Sequence, residues 1–235
     1  MGKMKKQLDI LVVEDTPKHQ DAAKALLEGH NLTIADTFEK AAKYLTRYSC
    51  NSAIEPGPQH FDAVLTDLFF KTGNTECRDG YTIEAAFGWP VALIAAQQGV
   101  KHIAMVTDVN HHQDPVVSAF DFFKAKKNWK WTSPYAGGRR EPYHIEGSLF
   151  VAYDVRDLPP VFVLKDGTFT EKEPLCRHEC DEQKDREIDL QAGYVLKSAK
   201  ESGAEWIYRT AKNWKVALEL LLLEGSKQKV QIKRH

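Results

Sequence analysis

The stretch Leu8-Asp-Ile-Leu-Val-Val-Glu-Asp-Thr-Pro17 decides the fold. Its apolar run, Leu8 to Val13, is short, rich in β-branched and aliphatic residues, and stops at Glu14 and Asp15, which reads as a buried strand. Thr16-Pro17 then opens a helix, because proline suits a first helical turn. Ala22, Ala23, Leu26 and Leu27 line one side of that helix, and Gly29 ends it. Leu32 to Ala35 is a second strand. Thr37 caps a second helix, where Phe38, Ala41, Ala42 and Leu45 repeat at helical spacing. After a polar segment from Cys50 to His60, the run Phe61 to Thr66 is a third strand ending at Asp67. A polar loop from Phe69 to Asp79 follows. A helix over Tyr81 to Gln98 is broken at Gly88-Trp89-Pro90, where proline removes a donor. Lys101 to Val106 is a fourth strand ending at Thr107 and Asp108. Strands alternating with helices through such connections pair in parallel and give an α/β fold.

The alternation then breaks. Residues 110–184 hold little helical periodicity beyond Phe123, and two strand-like runs, Ser148 to Tyr153 and Val161 to Leu164, lie among turn signals at Asp157-Leu-Pro-Pro160 and Asp166-Gly167. This segment reads as a β-rich insertion. The alternation resumes with a helix from Ile188 to Ser202, a fifth strand from Glu205 to Tyr208 and a last helix from Trp214 to Leu223. The organisation is thus a body over 7–109, an insertion over 110–184, a returning helix–strand–helix over 185–226, and a basic, frayed tail over 227–235.

Composition narrows the functional classes. The chain has 235 residues, with 32 Lys and Arg against 33 Asp and Glu, so its net charge is −1. That balance argues against a general nucleic-acid coat. Hydrophobic residues make up 43% and charged residues 28%, which suits a globular chain and not a disordered one. No apolar run approaches the roughly 20 residues of a membrane span. The apolar stretch behind the basic Met1 to Lys6 carries Asp9, Glu14 and Asp15, so it does not read as a signal peptide. Cys50, Cys77, Cys176 and Cys180 are too few for a disulfide scaffold, which points to a reducing, cytoplasmic setting.

The acids at the strand ends carry the chemistry. In a doubly wound parallel sheet the site lies beyond the carboxyl ends of the strands. The strand order 2-1-3-4-5 sets the first and third strands side by side and brings Glu14, Asp15 and Asp67 together. Such carboxylates repel one another unless a cation lies between them, and hard oxygen ligands in a half-open crevice suit Mg²⁺. Thr107 sets a hydroxyl beside the same pocket.

Leu8 to Pro17, Phe61-Asp-Ala-Val-Leu-Thr-Asp-Leu68, Asp79-Gly-Tyr81 and His102-Ile-Ala-Met-Val-Thr-Asp108 together resemble receiver domains of two-component response regulators. The likeness covers residues 8–108 and resumes at Gly203-Ala-Glu-Trp-Ile-Tyr-Arg209. It implies a flavodoxin-like, five-stranded parallel sheet of receiver type, carrying the insertion. It also implies roles. Asp67 would be the phosphoacceptor, and Glu14 and Asp15 would hold Mg²⁺ with it, the Phe69 backbone carbonyl adding a ligand. Thr107 would bind a phosphoryl oxygen, and Trp206 would be the aromatic that moves with it. The partners implied are a sensor histidine kinase or phosphotransfer protein upstream and a protein partner downstream, with no nucleic acid and no membrane. The lysine the family carries at the end of its fifth strand falls on Arg209 in the best register, with Lys212 and Lys165 as rivals. Arginine keeps the charge and changes the reach. The loop after Asp67 is longer than usual, and Phe69-Phe70 replaces the usual methionine-proline.

The leading expectation is therefore a stand-alone phosphoacceptor signalling protein rather than a turnover enzyme, with no DNA-binding output segment after Leu223. The alternatives are a phosphorylation-independent pseudo-receiver and, more weakly, a metal-dependent phosphatase, although Phe69 stands where that chemistry wants an acid. Cys176-Arg-His-Glu-Cys180 offers zinc-ligand types at irregular spacing, unlike paired knuckles. Lys124 to Trp131 with Arg139-Arg140 reads as a solvated, partner-facing surface.

Overall fold

The computed structural model describes residues 6–46, 59–73, 83–108, 143–155, 158–159, 161–163, 168–171 and 209–232. Strand β1 (Asp9–Val13) is buried from Ile10 onward and pairs in parallel on both sides, with β2 (Asn31–Ala35) and β3 (Ala63–Thr66). Beyond β3 lies β6 (His102–Thr107), parallel to it, and beyond that β8 (Ser148–Asp154), also parallel. The antiparallel edge strand β7 (Tyr143–Ile145) completes a sheet of order β2-β1-β3-β6-β8-β7. The fold is thus α/β, with the first four parallel strands in the order expected from the sequence.

Alternate residues of the strands feed opposite faces. Ile10, Val12, Ala63, Leu65, Ala104, Val106, Leu149 and Val151 pack against helices α1 (Pro17–Leu26) and α4 (Trp214–Ile232). Leu11, Val13, Val64, Ile103, Met105 and Phe150 pack against α2 (Phe38–Leu45) and α3 (Gly88–Gln97). Strands covered on both faces must be apolar throughout, which explains why β1, β3 and β6 carry near-continuous aliphatic runs. Thr37 caps α2 as its sequence suggests, its side chain accepting from the Lys40 amide.

The structure corrects three sequence expectations. The fifth parallel position belongs to β8, a run the sequence reading assigns to the insertion. Leu149-Phe-Val-Ala-Tyr153 has the same continuous apolar character as β1, and it pairs residue for residue with His102 to Val106, Asp154 following opposite Thr107. The strand expected at 205–208 lies outside the described residues. Next to it, β11 (Arg209–Ala211) pairs antiparallel with β9 (Val161–Val163), which also pairs with β10 (Phe169–Thr170) in a separate small sheet. Second, Gly88-Trp89-Pro90 starts α3 rather than breaking a longer helix. Proline in a first turn lacks a donor that no helical acceptor needs. Just before it, β5 (Glu84–Ala85) pairs antiparallel with β4 (Phe70–Lys71). Third, α4 continues to Ile232, through most of the expected frayed tail.

Gly88 fixes how closely α3 approaches the end of β3. Its amide donates to the Leu68 carbonyl at 3.0 Å, and a Cβ there would lie 2.9 Å from the Leu68 Cα and closer still to the Asp67 carbonyl oxygen. Alanine would gain about 1 kcal/mol of helix propensity. Overpacking against backbone costs roughly 1–3 kcal/mol and dominates. Gly88→Ala is expected to lower the urea midpoint of unfolding; an unchanged or higher midpoint would refute this account of the α3 approach.

Candidate functional site

The site is built where β1, β3 and β6 end. The Glu14 amide donates to the Ala35 carbonyl and the Asp67 amide to the Val13 carbonyl, so each ladder runs one residue past its strand. Glu14 and Asp67 therefore leave the sheet side by side. Side-chain oxygens of Glu14, Asp15 and Asp67 all lie within 4.8 Å of one another. Glu14 and Asp67 are buried and Asp15 is half-buried.

A buried lysine closes this cluster. Lys212 Nζ lies 2.8 Å from Glu14 Oε2 and 2.8 Å from Asp67 Oδ1, with Asp108 Oδ1 at 4.0 Å. It also stands 5.6 Å from the centre of the Trp214 ring. The remaining bonds hold the carboxylates in place. Glu14 Oε1 accepts from the Thr16 amide at 3.0 Å, and Asp67 Oδ1 accepts from the Leu68 amide at 2.6 Å. Asp67 Oδ1 thus carries both bonds.

Lys212 reaches the site on a short link between β11 and α4. Asn213 anchors that link. Its Oδ1 accepts from the Val216 amide as a helix cap, and its Nδ2 donates to the Pro159 carbonyl and to Glu171 Oε1. The Lys212 amide donates to His19 Nδ1 at 3.1 Å, and Trp214 Nε1 donates to the His19 carbonyl at 3.0 Å.

Burial pushes the Asp67 carboxyl well up; Lys212 pulls it back, while Glu14 and Asp108 add to the rise. Asp15 is also raised, by burial and then by Glu14. Burial alone would lower the Lys212 ammonium, but Asp67, Glu14 and Asp108 hold it above its ordinary range. Burial would raise Asp108, yet Lys212 and His19 hold it below the usual carboxylate range.

Among the expected residues, the structure brings together Glu14, Asp15, Asp67 and Lys212. Thr107 is buried at the end of β6, next to the strand that presents Asp67. The Lys212 register replaces that of Arg209. Arg209 lies inside β11, whose backbone is committed to β9, whereas Lys212 follows the strand and is free to turn inward. Trp206, Lys165, Cys176, His178 and Cys180 lie outside the described residues, as do 109–142. Two participants were not expected, Asp108 and His19. Asp108 directly follows Thr107, and His19 interrupts the apolar side of α1; the second is the signal that reading the helix face would have caught.

No family model matches the chain, and no curated protein matches it. Similar solved structures include two response regulators and one fusion protein. The Mn(2+)-bound form of response regulator Rcp1 is 19% identical, over 48% of this chain and 74% of its own, with a TM-score of 0.33. The bacteriophytochrome response regulator AtBRR is 21% identical, over 52% of this chain and 81% of its own, with a TM-score of 0.32. A fusion containing amino acids 181–211 of the yeast Spc42 trimeric coiled coil is 23% identical, with a TM-score of 0.32; the match spans 48% of this chain and 61% of the fusion. The strand order is that of a doubly wound, flavodoxin-like sheet. The oxygens of Glu14, Asp15 and Asp67 form a hard donor set within 4.8 Å of one another, so the residues present fit a divalent cation.

Two outcomes follow. Lys212→Met leaves Glu14 and Asp67 buried without their cation, and breaking such a pair costs roughly 3–5 kcal/mol; urea unfolding in EDTA should show that loss. A raised Asp15 carboxyl means the folded chain binds a proton more readily than the unfolded one, so ionised Asp15 lowers stability as pH rises from 3.8 through its raised value. Asp15→Asn should therefore be more stable than the parent in EDTA at neutral pH, the gain fading as pH falls towards 3.8. Added Mg²⁺ should stabilise the parent more than the variant.

Proposed function

We propose that this chain is a receiver-type signalling protein that accepts a phosphoryl group on Asp67. The observation that carries the reading is the geometry at Asp67: Oδ1 is bound by Lys212 and the Leu68 amide, and two further carboxylates, Glu14 and Asp15, stand within 4.8 Å. In the proposed step Asp67 Oδ2 attacks the phosphorus of a phosphohistidine. The new O–P bond forms as the P–N bond breaks, and the imidazole nitrogen keeps the electron pair and takes a proton from solvent. Glu14, Asp15 and Asp67, with the Phe69 carbonyl, would hold Mg²⁺, which when bound neutralises charge on the transferring oxygens. Lys212 supplies a fixed positive charge beside the developing phosphoryl anion, where a preorganised group costs no rearrangement. Thr107 offers a hydroxyl to a phosphoryl oxygen from the end of β6.

The donor in this proposal is a sensor histidine kinase or a phosphotransfer protein, the recipient of the signal a protein partner, and the setting the cytoplasm. A second reading, a phosphorylation-independent pseudo-receiver, draws on one observation: the Lys212 ammonium pairs with both Glu14 and Asp67, at 2.8 Å from each.

Intact-mass measurement after incubation with acetyl phosphate and Mg²⁺ tests the proposal. The parent protein is expected to gain the mass of one phosphoryl group; Asp67→Asn is expected to gain none, and EDTA to suppress the gain. A parent protein that stays unmodified would support the pseudo-receiver reading instead.

A further inference from the structure

We propose that His19 is a positioning residue for Lys212, an inference that rests on the phosphoacceptor reading and deepens it. His19 is buried on α1, and three bonds or contacts leave it in different directions. Its Nδ1 accepts the Lys212 amide at 3.1 Å, its carbonyl accepts Trp214 Nε1 at 3.0 Å, and its Nε2 lies 3.4 Å from Asp108 Oδ2.

The first contact fixes the chemistry of the ring. An amide N–H can donate only to a nitrogen that lacks a proton, so Nδ1 is bare and the neutral ring carries its hydrogen on Nε2. That nitrogen lies 3.4 Å from Oδ2 of Asp108, the residue after Thr107, without making a hydrogen bond. His19 therefore ties the helix that follows Glu14 and Asp15 to the link that carries Lys212, beside the end of β6. Asp108 also lies 4.0 Å from the Lys212 ammonium.

The lysine needs such a tether. It enters the site from a link between β11 and α4, 193 residues along the chain from His19. Without the imidazole acceptor, the buried Lys212 amide loses its partner, and the link, still held at Asn213 and Trp214, settles where the ammonium no longer meets Asp67 squarely. A shift of about 1 Å in such a group can cost roughly a hundredfold in rate.

Two variants separate positioning from bulk. His19→Asn puts an amide oxygen near the place of Nδ1 and keeps an acceptor for Lys212; His19→Phe fills the space without one. Phosphorylation by acetyl phosphate with Mg²⁺ is expected to fall about a hundredfold in H19F and to be largely retained in H19N. A ¹⁵N spectrum of the unmodified parent, with the His19 signals identified by their loss in H19N, is expected to show a bare Nδ1 and a protonated Nε2. The proposal is overturned if H19F reacts as fast as the parent, if H19N is as slow as H19F while both keep the parent's circular dichroism, or if Nδ1 carries the proton. Should H19F fail to fold, the ring signals decide. A parent that takes up no phosphoryl group while its ring shows the expected tautomer removes the phosphoacceptor function and not the tether, so the two failures are told apart.

Discussion

The ammonium of Lys212, held between Glu14 and Asp67 at 2.8 Å from each, is the constraint on which the rest depends. Two buried carboxylates at adjacent strand ends are tolerable only with a cation between them, and a buried cation is tolerable only with those carboxylates. Each side of the pair therefore requires the other. The sheet supplies the acids as a by-product of its topology, because β1 and β3 are neighbours and both end at an acid. The lysine has no such automatic supply. It comes from far along the chain, 198 residues after Glu14, and His19, Asn213 and Trp214 fasten the segment that delivers it.

That delivery explains features that otherwise look unrelated. Asn213 caps α4 and reaches Pro159 and Glu171, fastening the lysine's link to the small sheet of β9, β10 and β11. Trp214 is buried under the central sheet and donates to the His19 carbonyl, so α4 docks against α1 with the lysine already turned inward. The ordering entropy of this link is offset by bonds that each satisfy a buried polar group. One positive charge among Glu14, Asp15, Asp67 and Asp108 leaves carboxylates in excess, which is why the site retains a hard, acidic edge suited to a divalent cation.

The sequence carried the central sheet and the acids plainly, because both are local signals. A short aliphatic run ending in an acid is legible wherever it occurs, and β1, β3 and β6 each show one. The fifth strand was harder. Ser148–Asp154 has the right apolar run, but its place in the sheet depends on pairing with β6 across a long intervening segment, and no local pattern reveals that. The site lysine was ambiguous for the same reason. Arg209 sits in the register nearest to a strand end, yet β11 points its backbone at β9, and Lys212 becomes the site residue only once that pairing is known. His19 and Asp108 were missed because their roles exist only across elements: a histidine on an apolar helix side has meaning here through an amide that arrives from near the other end of the chain.

The most direct test of the account is a crystal structure of the protein grown with Mg²⁺ and beryllofluoride, a mimic of the phosphoryl group. The account predicts beryllofluoride bonded to an Asp67 carboxylate oxygen, with the Lys212 ammonium within hydrogen-bond distance of one of its fluorines and His19 still accepting the Lys212 amide. Beryllofluoride absent from Asp67, with Lys212 still paired to Glu14 and Asp67 as it is here, would contradict it.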